Sequence, residues 1–170
     1  MTAVAQETEC HPESAMLKEG KYLTFTLDKE EYGIGILKIK EIIGTMPITP
    51  VPQTPEYVKG VINLRGKVIP VIDLRLRFGM DRVGYTERTC IVVVETEAGS
   101  GTALIGIVVD SVSEVLNIRA ELIEEPPAFA TELSTSYILG MAKTEGSLKI
   151  LLDIDKVLQA QGIPVLSSEQ

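Results

Sequence analysis

The chain has no tryptophan, one histidine and two cysteines in 170 residues, and only 5% of it is aromatic. Each shortage removes a class of function. His11 lies in a polar N-terminal stretch, so Ser–His and Cys–His nucleophilic sites lack a base. Cys10 and Cys90 stand in no metal or redox spacing and read as free reduced thiols, which fits the cytoplasm. So few aromatics supply no stacking platform for bases or sugars. Sixteen Lys and Arg against 24 Asp and Glu give a net charge of -8, which excludes a general nucleic-acid or anionic-membrane surface. No glycine-rich phosphate cradle opens a helix. The longest apolar run, near Ala103 to Val109, is far shorter than the roughly 20 residues that cross a bilayer. No basic–apolar–small pattern marks a signal peptide. No cofactor or metal is expected.

What remains is an ordinary globular composition, 45% hydrophobic and 24% charged, enough for one domain or two small ones sharing a core. One stretch organises it. Gly60 to Leu74 reads as strand, tight turn, strand, with Asn63-Leu64-Arg65-Gly66 as the turn and Val68 to Ile72 as a buried β-branched run. Gly66 can take positive φ without steric cost, which leaves Arg65 presented at a rigid tip. Pro70 cannot donate to a ladder, so its strand is expected at a sheet edge or at a bulge.

The stretch recurs. Tyr57 to Gly60, Gly66 and Val71 to Leu74 match Tyr137 to Gly140, Gly146 and Leu151 to Ile154 at an offset of 80. Upstream, Gly33-Ile34, Ile36, Ile39 and Glu41 to Ile43 match Gly106-Ile107, Val109, Val112 and Glu114 to Leu116 at an offset of 73. Two matches in the same order describe two tandem copies of one β-rich unit. The copies differ at the tip: Asn63-Leu64-Arg65 in the first, Lys143-Thr144-Glu145 in the second. The scaffold repeats and the basic tip does not, which argues that Arg65 serves more than the fold.

In order, residues 1–20 and 161–170 read as flexible tails, and 21–160 as the folded part, with subdomains near 21–80 and 88–160 between which strand exchange is left open. Tyr22 to Leu27 alternates, with Leu23, Phe25 and Leu27 on one face. Asp28 to Glu31 reads as a hairpin loop, Leu37 to Lys40 as a helical turn, and Glu41 to Met46 as a strand. Thr54 is expected to cap a short helix begun by Pro55. Asp73 to Gly79 reads as a short helix stopped by glycine. Cys90 to Val94 is a near-continuous apolar strand that needs cover on both faces. Glu97 to Gly101 reads as a hairpin loop, Glu124 to Pro127 opens a longer one, and Asp153 caps a terminal helix with Ile154, Val157 and Leu158 inside. About five short strands per copy suit small barrels, and each copy alone is marginal in size, so the two are expected to pack through an apolar interface.

Three carboxylates, Asp73, Asp110 and Asp153, follow apolar strands and could together hold Mg²⁺ as a hydrolytic site. Since the repeat aligns Asp73 with Asp153, helix capping explains both at once, with Asp110 in an Asx turn. Lys59 and Arg65 form a small basic spot on an acidic protein. Ile36, Ile39, Ile42 and Ile105 are β-branched and belong by type in a core, but some can form a contact patch. The residues support a binding module.

Tyr22 to Phe25 with Glu31 to Ile34, Lys59 to Gly66, Val68 to Leu74, Gly106 to Asp110, and Leu133-Ser134-Thr135 with Tyr137 and Gly140 resemble the CheW-like family of chemotaxis coupling proteins. The resemblance runs from about Tyr22 to Ala160. It implies a mainly β fold of two five-stranded SH3-like barrels with short helices and a C-terminal helix. It implies a cytoplasmic, non-enzymatic adaptor, recruited to membrane-associated arrays, that joins methyl-accepting chemotaxis receptors to the histidine kinase CheA, whose regulatory domain is itself CheW-like. Carried over by motif, the receptor groove would involve Ile39, Lys59, Gly60, Arg65, Gly106, Val112 and Gly140. The kinase-facing surface would involve Ile36, Glu41, Ile42 and Ile105. A CheW-like module serving another kinase is the nearest alternative.

Overall fold

The computed structural model describes residues 19–81, 83–98, 101–125, 138–144 and 146–158. Residues 1–18 of the expected first tail, all of the second, the second tip residue Glu145, and Leu133-Ser134-Thr135 with Tyr137 lie outside this set, as do residues 99 and 100 of the expected 97–101 loop; Gly20, expected in the tail, opens the first strand.

Eleven strands are present among the described residues: β1 Gly20–Leu27, β2 Glu30–Gly35, β3 Ile39–Gly44, β4 Val58–Leu64, β5 Lys67–Asp73, β6 Cys90–Ala98, β7 Gly101–Val109, β8 Ser111–Ile118, β9 Ile123–Glu124, β10 Ile138–Thr144 and β11 Ser147–Leu152. Two one-turn helices follow the repeated hairpins, α1 Leu74–Arg77 and α2 Ile154–Val157. Asp73 and Asp153 cap them, accepting from the amides of Arg75 and Lys156. The structural reading of both aspartates holds. Gly79, at φ +80, ends the first helical turn with its amide on Leu76 O.

The strands form two sheets, ordered β3-β6-β7-β5-β4 and β8-β1-β2-β11-β10-β9. The repeat is visible in this order. Adding 80 or 73 turns β4, β5, β2 and β3 into β10, β11, β7 and β8, and the β4–β5 and β10–β11 hairpins carry the same register shift, at Val58/Gly60 and Ile138/Gly140. Each sheet borrows its central hairpin from the other copy. The β1–β2 hairpin sits beside β8 and β11, and β6–β7 sits beside β3 and β5. A parallel pairing closes each exchange, Ile150 with Tyr32 and Ile72 with Ile107 among the partners.

Burial follows this architecture. Ile62, Ile69, Val71, Ile91, Val93 and Val108 fill one barrel. Tyr22, Ile118, Ala142 and Leu151 fill the other. A larger cluster, with Leu23, Phe25, Leu27, Ile72, Val92, Val94, Ile107 and Leu152, lies between them. The strand β1 is therefore covered on both faces: Tyr22 turns into a barrel while Leu23 and Phe25 turn toward the partner barrel. The same holds for Ile91 to Val94, all at most 1% exposed.

Several local expectations change. The β1–β2 connection is a two-residue turn, with Leu27 facing Glu30 and both Asp28 and Lys29 at positive φ, the type I′ geometry that suits strand twist. The helical turn is 3-10, Ile36–Lys38. No helix follows Thr54: its hydroxyl donates to Val51 O, and Val58 N closes a turn on Pro55 O. Strand β5 is not an edge strand, but Pro70 precedes its pairing with β7, which begins at Val71, so the missing donor costs that ladder nothing.

Candidate functional site

The β4–β5 tip is built by its own sequence. Asn63 Oδ1 accepts from Gly66 N at 2.9 Å, and Arg65 and Gly66 take φ of 51 and 91 as the two central residues of the turn. Arg65 is held out at 68% exposure, and its guanidinium pairs with Glu41 on β3. Strands β3 and β4 are the two edges of their sheet, so this pair spans the line on which the barrel closes. Residues expected on two different surfaces, Arg65 and Glu41, therefore meet in one ion pair.

Beside them the strands present apolar side chains outward. Ile42 is 42% exposed and Val68 55% exposed. Ile42 alternates with Ile43, which packs against the barrel interior. Val115 and Leu148, the repeat counterparts of Ile42 and Val68, are also exposed. Sequence reasoning missed Val115 and Leu148, and its buried run Val68 to Ile72 needs correction at Val68, which faces solvent at the start of β5. The signal was available in the register: an apolar residue out of phase with the inward-facing set, at matching positions in both copies.

The other expected site residues divide by burial. Ile36, Ile39 and Val112 are half-buried and pack on the inter-barrel core. Lys59 is half-buried, with Nζ 5.8 Å from the Tyr85 ring centroid. Ile105 needs correction as a surface residue: at 1% exposure it lies between the barrels and touches no solvent. Gly60, Gly106 and Gly140 are buried as well, and each is required by packing. A Cβ on Gly60 would stand 2.0 Å from Thr49 O, one on Gly106 2.8 Å from Ile91 Cγ2, and one on Gly140 2.6 Å from Ile123 Cγ2.

The acidic constellation does not converge. Asp73 and Asp153 serve their helices. Asp110 makes no Asx turn; Oδ2 accepts from Asp28 N at 2.8 Å and faces the nearly buried Arg75 at 3.5 Å. Burial is the main reason the Asp73 carboxyl titrates above its ordinary range, against the opposing pull of the Arg75 amide it accepts from. No cluster of metal-ligand side chains occurs among the described residues, and no described helix is long and apolar enough to cross a membrane.

Ile42, Val68 and Arg65 of the Arg65–Glu41 ion pair are thus all exposed on the sheet that carries the β4–β5 hairpin. A family model described as CheW-like domain matches residues 21–162. A chemotaxis protein CheW from Klebsiella aerogenes is 42% identical over 148 residues, covering 87% of each chain. One from Rhizobium meliloti is 33% identical over 82% of this chain and 87% of its own. The crystal structure of the scaffolding protein TtCheW from Thermoanaerobacter tengcongensis superposes with a TM-score of 0.74 at 37% identity, over 85% of this chain and 95% of that one. By its sequence and by its two exchanged barrels, the chain belongs to the CheW-like domain family.

Proposed function

We propose that the protein is a non-catalytic chemotaxis adaptor in the cytoplasm, which couples the helical hairpin tips of methyl-accepting receptors to the histidine kinase CheA within membrane-associated arrays. The observation that carries this reading is the Arg65 tip. The repeat supplies the same scaffold twice, yet the second copy aligns Glu145 with Arg65, so only the first puts a cation at that turn position, on a sheet that also exposes Ile42 and Val68. A cation held 68% exposed, on a turn that fixes its position, is suited to recognition. The apolar patch provides area, and the charges provide register and discrimination.

The kinase-facing surface in this reading is Glu41, Ile42 and Val68, with Ile36 at its edge. A CheW-like regulatory domain presents strands of the same kind, so barrel-to-barrel contact is the natural mode. The receptor surface includes Arg65 and Lys59, with half-buried Ile39 and Val112 toward the inter-barrel line. Arg65 and Glu41 neutralise each other in the free protein. A partner that engages one must compete with the other, so the two surfaces are energetically linked. Titration of the full chain with the CheA regulatory domain, followed by backbone NMR, tests the assignment. Saturable shifts centred on Glu41, Ile42 and Val68 are expected, and absence of binding at high micromolar concentration would assign the adaptor to another kinase.

A further inference from the structure

Among the described strands the chain passes from one sheet to the other at two short links. The Ile36–Lys38 turn leads from β2 in the six-stranded sheet to β3 in the five-stranded one. Asp110, the single residue between β7 and β8, leads back. A charged side chain from a one-turn helix holds each link. Lys38 Nζ pairs with Asp155 of α2 at 2.5 Å, and the Thr96 hydroxyl on β6 donates to the same carboxyl group at 2.7 Å. Asp110 Oδ2 lies 3.5 Å from Arg75 Nη1 of α1, and Arg75 Nη2 lies 3.4 Å from Asp28 in the β1–β2 turn. The repeat relates the two holders. Arg75 and Asp155 are each the second residue of their helix, at the offset of 80, with opposite charge. Helix α1 continues from the five-stranded sheet, and its cation reaches the β1–β2 turn of the six-stranded one. Helix α2 continues from the six-stranded sheet, and its anion reaches β6 of the five-stranded one. Each clasp therefore ties one barrel to the other.

Helix capping accounts for Asp73 and Asp153, but not for the charges two residues on. The Arg75 side chain is only 10% exposed, and among the described residues its buried Nε has no acceptor. Burying a charge is costly even when it is paired, and such pairs are best attested where they fix one arrangement among several. Ile39 and Val112, themselves repeat-related, stand one and two residues beyond the clasped links, on different sheets. We propose that Arg75 and Asp155 are positioning residues: they lock the two crossovers, fix the angle between the barrels, and so set the spacing of Ile39 and Val112 for a receptor hairpin. The receptor half of this rests on the adaptor reading above. Glu41, Ile42 and Val68, at the centre of the kinase-facing surface, all lie on the five-stranded sheet and do not depend on that angle.

Residual dipolar couplings of the backbone amides test this on the free full-length chain. Alignment tensors are fitted separately to the five-stranded and the six-stranded sheet, in the parent, in Arg75→Met and in Asp155→Asn. Each sheet is expected to keep its own parent fit in both variants, while the two sheets cease to share one tensor. Asp110→Asn removes the charge from the other end of the first clasp at nearly constant size, and gives the same readout if Arg75→Met does not fold. Receptor hairpin fragments are expected to bind the variants at least about fivefold more weakly, with affinity for the CheA regulatory domain unchanged. A purely stabilising role would move neither the tensors nor this split. One shared tensor in every folded variant overturns the proposal, and so does an equal loss of both affinities. If the parent itself binds no receptor hairpin, the adaptor reading fails, and the tensors of the free chain still decide whether the clasps set the angle.

Discussion

Gly60→Ala separates a packing role from a contact role at a position that the family motif places in the receptor groove. Gly60 is buried at φ +141, and Thr49 crosses directly over it. The Thr49 amide and carbonyl exchange two hydrogen bonds of 2.8 Å with Val61, which tie the proline-punctuated 47–55 segment to β4. A methyl group 2.0 Å from Thr49 O cannot be accommodated while that bridge stands. Holding alanine in this backbone region costs about 1–3 kcal/mol. Losing the two bridge hydrogen bonds costs a further ~0.5–1.5 kcal/mol each. The total, about 2–6 kcal/mol, corresponds to a melting temperature lower by roughly 4–24 °C for a chain of this size. The assay is thermal unfolding by far-UV circular dichroism, with hydrogen exchange at the Thr49 and Val61 amides. Both amides are expected to lose protection together. A variant that melts within about 2 °C of the parent, with Thr49 still protected, would refute the close-approach argument.

Other outcomes follow from the same geometry. Arg65→Ala removes an exposed charge and no core atoms, so the melting temperature is expected to stay put while binding of receptor hairpin fragments weakens; a large stability loss would make Arg65 structural. Ile105→Ala is expected to cost about 2–5 kcal/mol in urea unfolding, with any loss of kinase binding tracking the unfolded fraction. Burial is the largest influence on Asp155 and pushes its carboxyl upward, but Lys38 and Thr96 together outweigh it and hold it below the ordinary 3.8. Its contribution is therefore present above pH 3.8 and lost as pH falls through the lower folded value. Urea midpoints of Asp155→Asn are expected to lie below the parent's near neutrality and to converge on it in acid; a constant gap would refute the linkage.

The repeat, the glycine-ended hairpin and the capping aspartates were legible because each rests on chemistry local to a few residues. Asp73 and Asp153 needed only their place between an apolar strand and a helix. Exchange of the central hairpins was not legible, because the two copies share one pattern and β1–β2 fits beside β8 and β11 by the same alternation that would fit β3 and β5. Burial of individual isoleucines failed for a related reason. Ile42 and Ile105 are alike in type and in strand context, yet one faces solvent and the other fills the space between barrels. Periodicity places a residue on a face; only the second layer decides whether the face is covered. Asp110 escaped because its partners, Asp28 N and Arg75, arrive from distant parts of the chain.

The central claim is that the outward face around Ile42 binds the CheA regulatory domain. Calorimetric titration of that domain into the parent chain and into Ile42→Asp tests it most directly, with melting temperatures measured alongside. Because Ile42 is already 42% exposed, the variant is expected to melt with the parent, while a charge left unpaired in an apolar contact is expected to weaken binding by tenfold or more, about 1.4 kcal/mol at least. Equal affinity in an equally stable variant would contradict the account and move the kinase surface to another face of the barrels.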